Sequence, residues 1–144
     1  MKRIEFKKGN LPKTPQICKS EAYRYYENAK DILKNISIEY GLYTDTKSVQ
    51  KACAIGYLAA LFAIDSFLLS KGILWKELPT SIDGYWAALQ KYAQKNGRLT
   101  ADLTGAYENL HILGYYRGGT DVEMIKSGFK RVKDIIDHFA QFIK

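Results

Sequence analysis

Ala52–Leu69 reads ACAIGYLAALFAIDSFLL and carries a single charge, Asp65. It holds no proline, and Gly56 is its only strongly helix-weakening residue. The surrounding sequence predicts one long helix from about Asp45 to Lys71, closed by Gly72. Apolar residues occupy nearly every face, and a helix apolar all round is normally enclosed by other helices. Ala52, Gly56, Ala59, Ala60 and Ala63 leave room for neighbouring backbones to approach closely. The stretch therefore predicts the central helix of an all-α domain.

Its length is close to the roughly 20 residues that a bilayer requires. Asp65 argues against a membrane span, because an Asp at the centre of a spanning helix costs about 2.5–3.5 kcal/mol on insertion scales. The other helices also carry apolar stripes that need a partner, and this helix supplies one. The opening MKRIEFKKGN has charge but no apolar run behind it, so no signal peptide is expected and the cytoplasm is the expected location.

With 144 residues the chain is expected to form one domain. Cys18 and Cys53 stand far apart, with no CxxC and no Cys/His cluster. Neither a disulfide framework nor a metal site is expected, and Cys53 is expected in the core. The net charge of +7 is unevenly spread. Residues 1–19 hold Lys2, Arg3, Lys7, Lys8, Lys13 and Lys19 against Glu5, whereas the remainder carries 16 basic and 14 acidic residues. Residues 1–19 are thus expected to be a basic arm, partly disordered or packed on the body. Residues 20–144 are expected to be a single helical bundle.

Along that body, Ser20 is the expected cap of a first helix over about Glu21–Tyr40. Ala22, Tyr26, Ala29, Leu33, Ile36 and Tyr40 step by 4, 3, 4, 3, 4 along one face. Glu27–Lys30 and Asp31–Lys34 are spaced for ion pairs on the opposite side. Gly41 is expected to end this helix, and no strand is expected after residue 8. A third helix begins at Thr80 or Ser81, with Tyr85, Trp86, Leu89, Tyr92 and Ala93 inward, and Asn96–Gly97 as its stop. A fourth runs from about Thr100, with Leu103, Ala106, Tyr107, Leu110 and Leu113 inward. Thr120 and Glu123 form a capping box for the last helix. There Val122, Ile125, Phe129, Val132, Ile136, Phe139 and Ile143 step by 3, 4, 3, 4, 3, 4, and Ile135 and Phe142 widen the stripe. The sum is a four- to five-helix, mainly antiparallel bundle.

Chemical signatures are sparse. There is no P-loop, GxGxxG, GxSxG or HExxH, and only two histidines. The richest polar-aromatic stretch is Tyr107–Gly119. Tyr107, His111 and Tyr115 are spaced by four and share a helical face, Tyr116 follows, and Arg117 sits where the helix gives way to glycines. Tyrosines offer stacking surfaces and a guanidinium offers a fork for phosphate or carboxylate, so this face is the expected ligand site, for nucleotide or nucleic acid. Asp65 joins it as an apolar-flanked carboxylate that needs a partner, with Arg117, His111 or a tyrosine hydroxyl the candidates. Arg131 and His138, seven apart on the last helix, are the only catalytic candidates. No cofactor is expected.

The order of elements, with AALFAIDSFLLSKG (59–72) and LHILGYYRGGTDVEMIKSGFKRVKDII (110–136), resembles the HEPN superfamily of small helical bundles across residues 20–143. The similarity is closest to an uncharacterised bacterial branch. The resemblance implies two roles. One is a non-enzymatic, dimeric binding or partner module, of the kind that serves minimal nucleotidyltransferases. The other is a metal-independent ribonuclease with an Arg-x4–6-His motif completed across a homodimer. His111 precedes Arg117, the reverse of that order. Arg131 and His138 fit its loosest spacing but lie deep within the final helix. The partner-module role is the expectation, with the ribonuclease or a ligand-free structural protein as alternatives.

Overall fold

The computed structural model describes residues 13–93 and 96–144. Among these it forms five α-helices: α1 (Pro15–Lys34), α2 (Thr46–Ser70), α3 (Ile82–Tyr92), α4 (Gly97–Ala106) and α5 (Val122–Ala140). A two-stranded hairpin of β1 (Ile38–Glu39) and β2 (Leu42–Tyr43) joins α1 to α2. The described residues form an all-α bundle with this one small hairpin, where the sequence predicts no strand after residue 8.

Helix α2 is the hub. The Asp45 carboxylate accepts from Ser48 N at 3.1 Å and from Ser48 Oγ at 2.8 Å, which caps its start. Gly72, at φ +96°, turns the chain away at the other end. Helices α1 and α5 and the segment after α4 pack on it. The small residues serve as the sequence predicts: a Cβ on Gly56 would lie 2.6 Å from the Phe129 ring of α5. The helix is long and apolar enough to cross a membrane, and 67% of its most apolar window is buried inside the bundle.

Helix α1 begins earlier and ends earlier than its sequence suggests. Thr14 caps it through Ile17 N at 3.1 Å, and Pro15 occupies the first turn, where a missing N–H costs nothing. Residues 15–19 of the expected arm are therefore helical, with Cys18 fully buried; residues 1–12 of that arm lie outside the described residues. The helix stops at Lys34, so Ile36 and Tyr40 are not on it. Tyr40 (φ +53°) and Gly41 (φ +77°) instead form a two-residue turn with both residues left-handed, the geometry that suits the twist of a hairpin. Backbone bonds from Tyr43 N to Thr120 O (2.9 Å) and from Val122 N to Gly41 O (3.0 Å) pin the hairpin to the start of α5. On the exposed side Lys34 pairs with Asp31 at 3.9 Å, while Lys30 lies over the Tyr26 ring rather than against Glu27.

Two further boundaries differ. Asn96 accepts from Leu99 N at 3.2 Å and starts α4 at Gly97, so Asn96–Gly97 is a start signal rather than a stop. Asp121, not Thr120, caps α5 through Met124 N at 2.8 Å. The heptad of α5 is buried as expected, including Ile135, but the helix ends at Ala140 and Phe142 is exposed.

From Tyr107 to Tyr116 the helix that begins as α4 widens to i→i+5 bonding, as in the 2.9 Å bond from Arg117 N to Ile112 O. Such π-type turns take roughly one more residue each than α-turns and are rarely sustained. Widening breaks the expected phase. Leu113 turns outward, and Leu110 and Gly114, four apart, face the core. Gly114 lies against α2, where a Cβ would stand 2.5 Å from Cys53 Sγ. Gly114→Ala is expected to lower stability by about 1–3 kcal/mol through overpacking, read as a lower urea midpoint at unchanged slope.

Candidate functional site

The wide segment brings the rings one turn apart into register. His111 stacks between Tyr107, 5.4 Å away by ring centroid, and Tyr115 at 5.9 Å. Tyr57 of α2 stacks on His111 at 4.9 Å and lies 6.0 Å from Tyr107. Trp86 of α3 meets the edge of Tyr107 at 5.9 Å, and its indole N–H donates to Thr104 Oγ1 at 3.1 Å. Tyr107, His111 and Tyr115 thus share a face as their spacing predicts, and α2 and α3 supply the remaining rings.

Beside these rings lies a cleft of about 300 Å³. It is lined by Tyr57 and Leu61 of α2, by Tyr107 and His111 of the wide segment, and by Ile82, Tyr85 and the Pro79–Ser81 turn. The turn is fixed because Ser81 caps α3 by accepting from Gly84 N at 3.1 Å. Among the described residues no group hydrogen-bonds the Tyr57 hydroxyl or the His111 ring nitrogens. The cleft therefore offers aromatic faces with polar edges free to pair.

Asp65 lies behind the cleft rather than in it. It is 9% exposed, and its Oδ1 accepts from the Tyr85 hydroxyl at 2.8 Å. Of the three expected partners the tyrosine hydroxyl is the one realised; Arg117 and His111 are not. Burial pushes the Asp65 carboxyl up to about 6, against the downward pull of the Tyr85 hydrogen bond and of Lys13. Burial also raises the Tyr85 phenol, and the Asp65 charge adds to the effect. Tyr57 is raised by burial as well. Both phenols are thus kept neutral, as hydrogen-bond donors.

Tyr115, Tyr116 and Arg117 do not line the cleft. Tyr115 extends the ring stack outward at 44% exposure, Tyr116 is more exposed, and Arg117 caps the wide helix at the surface. The sequence-based expectation of one continuous Tyr107–Arg117 site with Asp65 therefore divides: Tyr107 and His111 are in the cleft, Asp65 is its second layer, and the other three stand apart. The missed residues are Tyr57, Tyr85 and the Pro79–Ser81 turn. Tyr57 is eight positions before Asp65, just over two turns along α2 and about 80° round it, and that placing within one broad stripe is the one signal linking the two in sequence.

Arg131 and His138 are not brought together within the chain. Arg131 Nη1 donates to Asp102 Oδ1 at 3.0 Å, and that carboxylate is nearly fully buried. His138 lies edge-on to Phe139 and Phe142 and lines a different cavity with Phe67 and Tyr92. Among the described residues there is no cluster of three or more His, Cys, Asp and Glu suited to a metal ion. Burial pushes the thiol of Cys18 up to about 11 and that of Cys53 to about 12, which leaves both poor nucleophiles.

A family model described as a domain of unknown function (DUF5618) matches residues 18–141. A solved structure of a protein of unknown function from Dyadobacter fermentans is similar, with a TM-score of 0.74 and 34% identity, over 89% of this chain and 97% of that one. No curated protein matches.

Proposed function

The chain belongs to the DUF5618 family, and from that premise we propose a non-enzymatic binding module whose cleft takes a nucleobase with its ribose. One observation carries the proposal: His111 stacks on Tyr57 at 4.9 Å and on Tyr107 at 5.4 Å in the lining of a cleft where the Tyr57 hydroxyl and the His111 nitrogens have no partner among the described residues. Stacking of a base on an aromatic side chain contributes about 1–3 kcal/mol and tolerates any base. The Tyr57 hydroxyl and the His111 nitrogens supply the directional contacts. The volume, about 300 Å³, is at the lower end for ligand pockets, which favours a nucleoside over a larger cofactor.

The HEPN-like character of the bundle belongs to the same proposal and rests on the order of its helices, the small-residue hub α2 and the Tyr-bearing segment before α5. Engagement of Arg131 with Asp102 favours the partner-module role over the ribonuclease. His111→Ala is the direct test. His111 is partly exposed, so the substitution removes its stacking on Tyr57, Tyr107 and Tyr115 at the edge of the core, and an unchanged circular dichroism spectrum checks the fold of the variant. Its affinity for a nucleoside monophosphate should fall about tenfold or more, measured by titration calorimetry. Equal affinity in the variant and the parent would remove the cleft as the site.

A further inference from the structure

A second concavity lies elsewhere, between α1, the hairpin and α5. Its volume is about 540 Å³. Tyr26, Leu33, Ile36, Ile38, Tyr43 and Phe129 make an apolar floor. Five lysines stand along its edges: Lys30 and Lys34 on α1, and Lys126, Lys130 and Lys133 on α5. Each row follows helical spacing, so each helix presents one basic edge beside its buried stripe.

Three of these charges already have acidic neighbours. Lys34 is 3.9 Å from Asp31, Lys130 is 2.9 Å from Asp134, and Lys133 is 2.7 Å from Asp137, all outside the groove lining. Lys30 and Lys126 have no carboxylate within ion-pair distance among the described residues. They stand on opposite edges, one on each helix. Uncompensated positive charge therefore flanks an apolar trough from both sides.

We propose that this groove binds a single acyl chain carrying an anionic head. The floor would take the chain, since each buried methylene contributes about 0.8 kcal/mol. The lysines, flexible point charges, would take the head. Size and shape choose this ligand over an acidic helix. The α5 edge from Lys126 to Lys133 spans about 10 Å, two helical turns, and Ile36 after α1 with Ile38 and Tyr43 of the hairpin complete the lining. The site is independent of the aromatic cleft and shares no lining residue with it.

The test is calorimetric titration of the intact chain with dodecyl phosphate and with dodecanoate, both kept below micelle formation. Dodecyl maltoside and inorganic phosphate serve as chain-only and head-only controls. One-site binding of either anionic amphiphile is expected, at least tenfold tighter than both controls and weakened by salt. Lys30→Glu combined with Lys126→Glu should weaken it tenfold or more. So should Ile38→Asp, which changes an exposed hairpin position and leaves the helical core in place. Equal binding of the maltoside reduces the groove to a greasy surface and overturns the proposal. Equal binding of inorganic phosphate reduces it to an anion site, with the same consequence. Absence of binding by both anionic amphiphiles also overturns it and leaves the groove to a protein partner.

Discussion

Replacing Arg131 with alanine is expected to destabilise the fold by about 2 kcal/mol. The cause is Asp102 rather than Arg131. The Asp102 side chain is 3% exposed, and Arg131 Nη1, 3.0 Å away, is its closest cation. Removing one member of a buried pair leaves the other desolvated and unpaired, typically a loss of 3–5 kcal/mol. The lower figure applies here because Arg131 is itself 42% exposed and Arg98 stands 3.9 Å from the same carboxylate. Arg131 also packs its stem on Gly105 of α4, so the substitution loosens the α4–α5 contact. Urea unfolding gives the direct check. Asp102→Asn in the Arg131→Ala background should recover part of the loss, because the stranded charge is gone. A change within 0.5 kcal/mol in the single variant would mean that this pair does not hold the helices together. It would also leave Arg131 available for the alternative ribonuclease reading that its spacing from His138 raises.

Asp65→Asn is expected to stabilise the protein at neutral pH by about 3 kcal/mol. The carboxyl titrates near 6 in the fold, because it is buried, and near 3.9 in the unfolded chain. Between those values the folded state holds the proton more tightly. The stabilising difference is fully present below about pH 4, declines as pH rises, and is lost above about pH 6. Asparagine carries no charge and keeps a carbonyl oxygen to accept from Tyr85. The variant should therefore match the parent near pH 4 and exceed it at pH 7. Glu21, Asp45 and Asp134, all lowered by hydrogen bonds, contribute with the opposite sign, and they cancel in the variant-minus-parent difference. A difference that stays flat from pH 4 to 7 would contradict the buried, strained carboxylate.

These residues show how far a sequence carries. Helix α2 is legible because eighteen apolar-rich residues without proline leave no competing structure, and Gly72 marks its end. The heptad of α5 is legible because its period persists over six steps. The hairpin is not. Ile36 and Tyr40 continue the helical spacing of α1, but the helix has already stopped at Lys34 with Asn35 as its cap, and the left-handed Tyr40–Gly41 turn lies beyond that end. Asn96–Gly97 misleads because asparagine caps helix starts and ends alike. The wide helix after Tyr107 is hidden for another reason: contact of Gly114 with Cys53 is tertiary, and it fixes the phase that turns Leu113 outward.

The candidate site divides along the same line. Tyr107 and His111 are readable from their spacing of four, whether the turn is α or π. That Asp65 needs a partner is readable from its apolar flanks, and a tyrosine hydroxyl is among the readable choices. That Tyr85 is the one, and that Tyr57 and the Pro79–Ser81 turn complete the cleft, depends on how α2 and α3 meet. Residues twenty and fifty positions apart carry no local signal of that. The lysines at 30 and 34 and at 126, 130 and 133 are visible as basic edges, but their pairing across one groove is not.

Nucleobase binding in the aromatic cleft can be read by thermal melting of the intact chain with each of the common nucleoside monophosphates at physiological salt, with the His111→Ala variant run in parallel. At 100 times its dissociation constant a ligand adds about 2.7 kcal/mol of stability, a rise of several degrees. That rise is expected for the parent, and its loss in the variant. No rise with any nucleotide, or the same rise in both proteins, would contradict it.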